Sequence, residues 1–188
     1  MNLQVNYSDI IDAREKLMKD QEVYFLQEIL FSWRWWLLII IAIILWLIWI
    51  WLVDKTRVFT ILFVGLSTSM IATHLDDIGL SLMLWAYPYG STPYLDRLSL
   101  VDLSVLPVAY MLLYQYVKTW GKYIFVLVVL TLFAVFVAEP VFEKMQLYMM
   151  MNWKHVYSTP FYIAIGVFMK WLTDALEKVI QKNHHRHR

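Results

Sequence analysis

The chain has no cysteine. Disulfides, thiolate metal sites and cysteine nucleophiles are therefore all excluded. Charge is scarce too: Asp, Glu, Lys and Arg make up 16% of the 188 residues, and 16 basic against 15 acidic side chains leave a formal charge of +1. Nucleic-acid binding needs a concentrated basic face, which this balance does not supply. Several signatures are missing as well. There is no P-loop, no glycine-rich dinucleotide motif, no HExxH and no Ser–His–Asp motif, which argues against nucleotide chemistry and offers no ready catalytic centre. No internal repeat is evident, so an inverted-repeat transporter gains no support. The first 34 residues are rich in charge and lack a basic stretch followed by a short apolar core, so no cleavable signal peptide is expected.

What the chain does have is apolar surface. Hydrophobic residues are 61% of it, and the mean hydropathy is +0.55. A soluble domain of this length could not hide so much. The pattern predicts an all-α, polytopic transmembrane bundle of about five membrane-spanning helices with an amphipathic N-terminal helix. A span needs about 20 mostly apolar residues, because the backbone must bond to itself where water is absent. Residues 35–53, WWLLIIIAIILWLIWIWLV, contain no charge and are flanked by Arg34 and by Asp54, Lys55 and Arg57. Further spans are predicted at 58–78, 100–117 (with Pro107 inside it), 123–141 and 157–172. Together they make one bundle over 35–176. Residues 79–87 read as a short interfacial or re-entrant piece followed by a loop, with a sixth helix as the alternative. Residues 1–34, with Ile10, Ile11, Leu17, Met18, Phe25, Leu26, Ile29 and Leu30 near helical spacing, are expected on the membrane surface or against the bundle. Residues 177–188 form a basic tail whose histidines invite no more than adventitious metal.

Counting basic residues on the two sides gives seven with the N-terminus and nine with the C-terminus. By the positive-inside rule this points to a cytoplasmic C-terminus. The distribution of the other polar residues is more telling. His74, Asp76 and Asp77 end the second span, Asp102 begins the third, Glu139 and Glu143 end the fourth, and Lys154 and His155 precede the fifth. Alternating span direction brings all of them to the face of the N-terminus. Glu139 lies ~25 Å of helical rise beyond the start of its span, near the interface rather than the midplane.

Glu139 and Glu143, spaced i, i+4, share a helix face if the helix survives Pro140. They read either as a carboxylate pair for proton or metal chemistry or, more economically, as partners of Lys144 or Lys154 at the interface. His74, Asp76, Asp77 and His155 could join Glu139 around zinc or iron. Capped helix ends and hydrogen-bonded polar groups explain them with less, so no metal or cofactor is expected. Asp102 near a helix start suggests capping. The run MQLYMMMNW reads as an interfacial segment, or as a flexible apolar wall.

The segments FSWRWWLL, WAYP, VDLSVLPVAYMLLYQYVKTWGK, FAVFVAEPVF and NWKHVYSTPFYI, in this order, resemble a family of small multi-pass membrane proteins of spore-forming Firmicutes, Bacillus relatives especially. The resemblance runs from about residue 25 to 172. It implies a bacterial plasma-membrane protein with about five helices, and it brings no activity, cofactor or catalytic residue. Trp85, Tyr87, Tyr110, Trp153 and Tyr157 are the candidates to line a pocket at the polar face. The favoured reading is a non-catalytic bundle that binds a lipid, a small amphiphile, a membrane-protein partner or a second copy of itself there. The alternatives are a membrane enzyme acting on a lipid or isoprenoid, with Glu139 or Asp76 as acid or base beside His155, and an ion- or proton-coupled transporter or channel subunit.

Overall fold

A computed structural model of the protein describes residues 6–186, with side chains over residues 6–182. The tail histidines 184, 185 and 187 and the arginines around them lie outside the described side chains. The described fold is all-α apart from one two-residue ladder. Helix α1 (Tyr7–Tyr24) leads through a π-helical turn, Phe25–Ile29, to α2 (Trp33–Leu52) and α3 (Val58–Ser81). Strand β1 (Trp85–Ala86) and a long loop follow. A π-helical turn at Val101–Val105 opens α4 (Leu106–Tyr116), and α5 (Trp120–Phe133) passes through another, Ala134–Ala138, into α6 (Glu139–Lys144). Strand β2 (Met149–Met150), taken from the methionine run, pairs antiparallel with β1, and α7 (Ser158–Arg186) closes the chain.

Among the described residues, three helices are long and apolar enough to cross a membrane: Trp33–Leu52, Val58–Ser81 and the continuous Trp120–Lys144. Five were expected. The expected span at 100–117 is shorter, a five-residue π turn and an eleven-residue helix. The expected span at 157–172 is part of a 29-residue helix that carries Lys170, Asp174 and Glu177 and continues unbroken through 177–186. No helix occupies residues 82–98, where a sixth span was the alternative.

The surfaces of the three long helices are what lipid requires. Ile43, Leu47, Trp51, Phe59, Leu66 and Phe125 are all exposed. Apolar side chains in such numbers would not stand in water as a monomer surface. Helix α1 behaves differently: none of its residues is buried. Only the π turn after it inserts side chains, Phe25 and Ile29, so Ile10, Ile11, Leu17, Met18 and Leu26 do not pack on the bundle as part of the expected amphipathic face.

Two prolines explain two of the π turns. A proline inside a helix lacks an N–H and crowds the carbonyl four residues back. Pro107 and Pro140 each stand at the second residue of an α-helix, directly after a π-helical turn. Widening the preceding turn relieves the clash while the helix continues. Pro140 thus leaves Glu139 and Glu143 on usable geometry.

The ends of α3 and α6 repeat another device. Met83 (φ 53°) and Gln146 (φ 61°) take the left-handed conformation after their helices. The N–H of Leu84 donates to Gly79 O at 3.0 Å, and that of Leu147 to Phe142 O at 2.9 Å, the six-to-one bond of a Schellman cap. Both caps turn the chain into the strands that pair, and so both loops lie across the same end of the bundle. Arg34, at the start of α2, ties them together: it donates to Met145 O (2.7 Å), Gln146 Oε1 (2.7 Å) and Tyr89 Oη (3.1 Å).

The helices alternate in direction around a core in which Tyr110, Tyr123, Leu127 and Met169 are buried. Close approach is made possible at Gly166, where an added Cβ would meet Leu127 and Tyr110. At the end opposite the loops, Gln115 donates to Leu52 O and Arg57 pairs with Glu177. This links α2, α3, α4 and α7 there.

Candidate functional site

The loop end holds two polar clusters. The first centres on Asp76. Ala72, Leu75, Asp76 and Gly79 are spaced i, i+3, i+4, i+7 on α3, and Ser158, Phe161, Tyr162 and Ile165 repeat that spacing on α7. All eight face one cavity of about 320 Å³. Asp102 and Leu106 close it from the α4 segment, and Trp85, Tyr148 and Trp153 from the two loops. Its walls are overwhelmingly apolar and aromatic.

Gly79 sets the position of Trp85. A Cβ on residue 79 would overlap the indole ring, so only glycine lets the ring lie flush on α3. In that place Trp85 Nε1 donates to Asp76 Oδ1 at 2.7 Å, and Tyr87 Oη donates to the same oxygen at 2.8 Å. The other oxygen, Asp76 Oδ2, is buried without a partner, and so is Asp102 Oδ2. Asp76 and Asp102 are 7% and 6% exposed, and the two carboxyls are close neighbours. Capping does not explain Asp102, because no side chain caps an amide at this turn.

The second cluster is a clasp. His155 Nδ1 lies 2.8 Å from Glu139 Oε2, and Nε2 lies 2.9 Å from Glu143 Oε2. Tyr162 Oη donates to Glu139 Oε1 at 2.8 Å. A ring that meets a carboxylate at each nitrogen must carry both protons to bond to both. Burial opposes charge on the His155 ring, but the bonds to Glu143 and Glu139 outweigh it and raise its pKa above the ordinary value. A row of rings connects the clusters: Tyr87 stacks on Tyr148 with centroids 5.4 Å apart, and Tyr148 lies 6.0 Å from the His155 ring. Burial and the adjacent Asp76 raise the Tyr87 pKa well above that of a free phenol, so it stays a donor.

The structure thus places the expected residues unevenly. Asp76, Asp102, Trp85 and Trp153 border the cavity, and Tyr87 orients Asp76. Glu139, Glu143 and His155 stand beside the cavity rather than in it, with Tyr148 and Tyr162 between. The carboxylates take His155, not Lys144 or Lys154, as partner. Asp77 faces outward and receives Arg97 Nη1 at 2.8 Å. His74 is exposed and bonds to Met70 O on its own helix, and Lys154 is exposed. Tyr110 donates to Tyr162 O behind the cavity wall, and Tyr157 packs edge-on against Trp153. The pocket expected at the polar face is thus an apolar cavity, with a clasp next to it.

Sequence reasoning missed Tyr148, Ser158, Phe161 and Tyr162. The last three were legible as a helical stripe that starts at Ser158 and ends at Ile165. Tyr148 carried no such signal, because its placement depends on strand pairing between distant loops.

The geometry supplies no serine activated by a histidine base among the described residues. Ser158 is the one hydroxyl of serine or threonine on the cavity wall, but both His155 nitrogens are engaged by carboxylates, leaving none to accept its proton. Among the described residues, no group of three or more His, Asp or Glu is arranged to hold a metal ion. Comparison with models of known protein families, with curated proteins and with solved structures finds no match to this chain.

Proposed function

We propose that the protein is a multi-pass bundle of the bacterial plasma membrane, with five crossing helices, that receives a small amphiphile into the cavity between α3 and α7. The observation that carries this is the cavity itself. A space of about 320 Å³ has apolar walls and two convergent buried carboxyls, which is the ordinary make-up of a small-molecule site. Ile78, Leu82 and Phe161 border it and are exposed on the flank of the bundle, so the opening faces the hydrocarbon side, where an acyl chain partitions. The shorter α4 segment and the long α7 run alongside the three apolar helices, and in this reading they cross with them. The excess of basic residues on the C-terminal side supports a cytoplasmic C-terminus.

Two experiments test it. Purification in a mild detergent, followed by organic extraction and mass spectrometry, should recover an amphiphile in near-stoichiometric amount, and Ala72→Leu, which fills the cavity, should release it. Empty wild-type protein with equal lipid adsorption by both forms would refute the reading. For topology, the cysteine-free chain makes any introduced thiol a unique reporter. Asp96→Cys should react with an impermeant maleimide from the side opposite to Lys118→Cys and Lys178→Cys; labelling of all three from one side would rule out five crossings.

A further inference from the structure

We infer that the amphiphile carries a positively charged amine or quaternary ammonium head, which sits against Asp76 and Asp102. This rests on the cavity reading above and adds to it the chemistry of the head group. Two buried carboxyl oxygens, Asp76 Oδ2 and Asp102 Oδ2, accept no hydrogen bond from any donor of the protein, and their carboxyls have only each other as acidic neighbours in the cavity wall. A carboxylate in an apolar setting is costly unless a counter-charge meets it. The residues around the cavity include no Lys, Arg or His. Arg97, the cation nearest in sequence to Asp102, gives its Nη1 to Asp77; its charge reaches Asp76 and Asp102, but it bonds to neither. No cation bonds to either carboxyl, so the adjacent acid pair, which needs only one proton between its members to be left with a single negative charge, is open to a cation that enters with the ligand.

The walls select the kind of cation. Trp85, Trp153, Tyr148, Phe161 and Tyr162 surround the space, and aromatic faces attract alkylated ammonium groups while tolerating their bulk. Trp85 and Trp153 meet edge to face with centroids 5.4 Å apart, which fixes two walls at an angle to each other. A hard metal ion is excluded by the same walls, since magnesium and calcium need about six or more oxygen ligands. The apolar remainder, Leu75, Ile78, Leu82 and Ile165, runs from the acid pair to the exposed flank, where a chain attached to the head extends into lipid.

The test uses the full chain in a non-ionic detergent and three ten-carbon probes: decyltrimethylammonium, decanol and decanoate. Binding is measured by equilibrium dialysis, and the part abolished by Ala72→Leu is assigned to the cavity. Decyltrimethylammonium is expected to bind at least tenfold more tightly than either of the others. Asp102→Asn should remove most of that preference, whereas Asp77→Asn, outside the cavity, should leave it unchanged. Thermal melting of each variant confirms the fold. Should Asp102→Asn fail to fold, Asp76→Asn, whose amide oxygen still accepts from Trp85 and Tyr87, replaces it. Equal cavity-dependent binding of decanol and the cation, or full retention of the preference in Asp102→Asn, overturns the assignment of a cationic head and leaves the amphiphile site standing. Cavity-dependent binding of none of the three overturns both.

Discussion

The two ends of the bundle treat their most deeply buried charged groups in opposite ways. At the end away from the loops, Lys170 is only 3% exposed, deeper than either Asp76 or Asp102. Its Nζ lies 3.2 Å from Asp174 and within 5.1–5.3 Å of the ring centroids of Tyr114, Trp120 and Tyr123. Tyr114 Oη in turn donates to Asp174, and Arg57 pairs with Glu177 at 2.8 Å. Every one of these charges finds its partner inside the chain. At the loop end, two carboxyl oxygens of similar depth find none and border a cavity instead. A charge that serves the fold is closed by the fold; a charge left open at a cavity is available to something that is not part of the protein.

The largest effects should separate the ends directly. Asp174→Ala strands the Lys170 ammonium among aromatic rings and should cost about 3 kcal/mol, the usual scale for one partner removed from a buried pair. Lys170→Met combined with Asp174→Ala should restore most of the loss. Asp102→Asn strands nothing, since Asp102 Oδ2 had no partner, and its new amide can donate to Asp76 Oδ2. It should cost less than about 1 kcal/mol. Reversible unfolding in mixed micelles measures all of these. Equal losses at the two ends would make the acid pair a structural clasp and erase the contrast.

Gly79→Ala is expected to cost about 1–3 kcal/mol, as overpacking does, because the Cβ must displace the Trp85 ring. Displacement also breaks the bond from Trp85 to Asp76, so cavity binding should fall with stability. The same change at Gly121, where a Cβ meets nothing within 4 Å, should be neutral or slightly stabilising in the helix. A Gly79→Ala variant with intact binding and melting would show that Trp85 is not a fixed wall.

The clasp gives a pH signature. His155 has its pKa raised in the folded protein by Glu143 and Glu139 against the opposing effect of burial. A raised folded value means the protonated ring favours folding. That contribution is fully present below the ordinary histidine pKa of about 6.5 and is lost as pH rises through the folded value. Melting temperature should therefore fall as pH rises above about 6.5, and His155→Gln should flatten the slope. Tyr148 and Tyr162 also face the clasp, and burial keeps Tyr148 protonated across this window. A slope that survives His155→Gln would assign it elsewhere. Because Tyr148 belongs to both the clasp loop and the cavity wall, ligand release should follow the same curve.

How much of this was legible in the sequence follows from the range of each interaction. The charge-free run from Trp35 to Val53 and the long α3 declare themselves by local composition. So does the polarity of the loop end, because alternating helices carry Asp76, Asp102 and Glu139 to one side wherever their partners are. Pro140 left its consequence open in the sequence, since a π turn and a broken helix cost similar local patterns; in the structure the π turn keeps Glu139 and Glu143 within reach of His155. The separation of clasp from cavity was not legible. It depends on the Trp85–Met150 pairing, between loops about 65 residues apart, and on which oxygen of Asp76 Trp85 and Tyr87 choose. The setting of Lys170 was not legible either: in sequence it is one basic residue at a helix end, and only the packing of α4 and α5 around it shows three rings and a carboxylate.

The smallest effect tests whether nearness of charge is enough, or whether its placement matters. Asp77 is adjacent to Asp76 in sequence but points to the surface, with its side chain 54% exposed and Arg97 upon it. A half-exposed ion pair contributes about 0–1 kcal/mol, so Asp77→Asn should hardly move the melting temperature. It removes one negative charge from the neighbourhood of the cavity, just as Asp102→Asn does. If general electrostatic attraction drew cations toward this face, the two variants would weaken decyltrimethylammonium binding alike, and raised salt would weaken it further. If the head group instead sits on the unpartnered oxygens among aromatic walls, Asp77→Asn leaves the affinity intact, salt has little effect, and only Asp102→Asn and Asp76→Asn reduce it. The second outcome is expected, because a charge at the surface is screened by solvent while the acid pair is sealed from it.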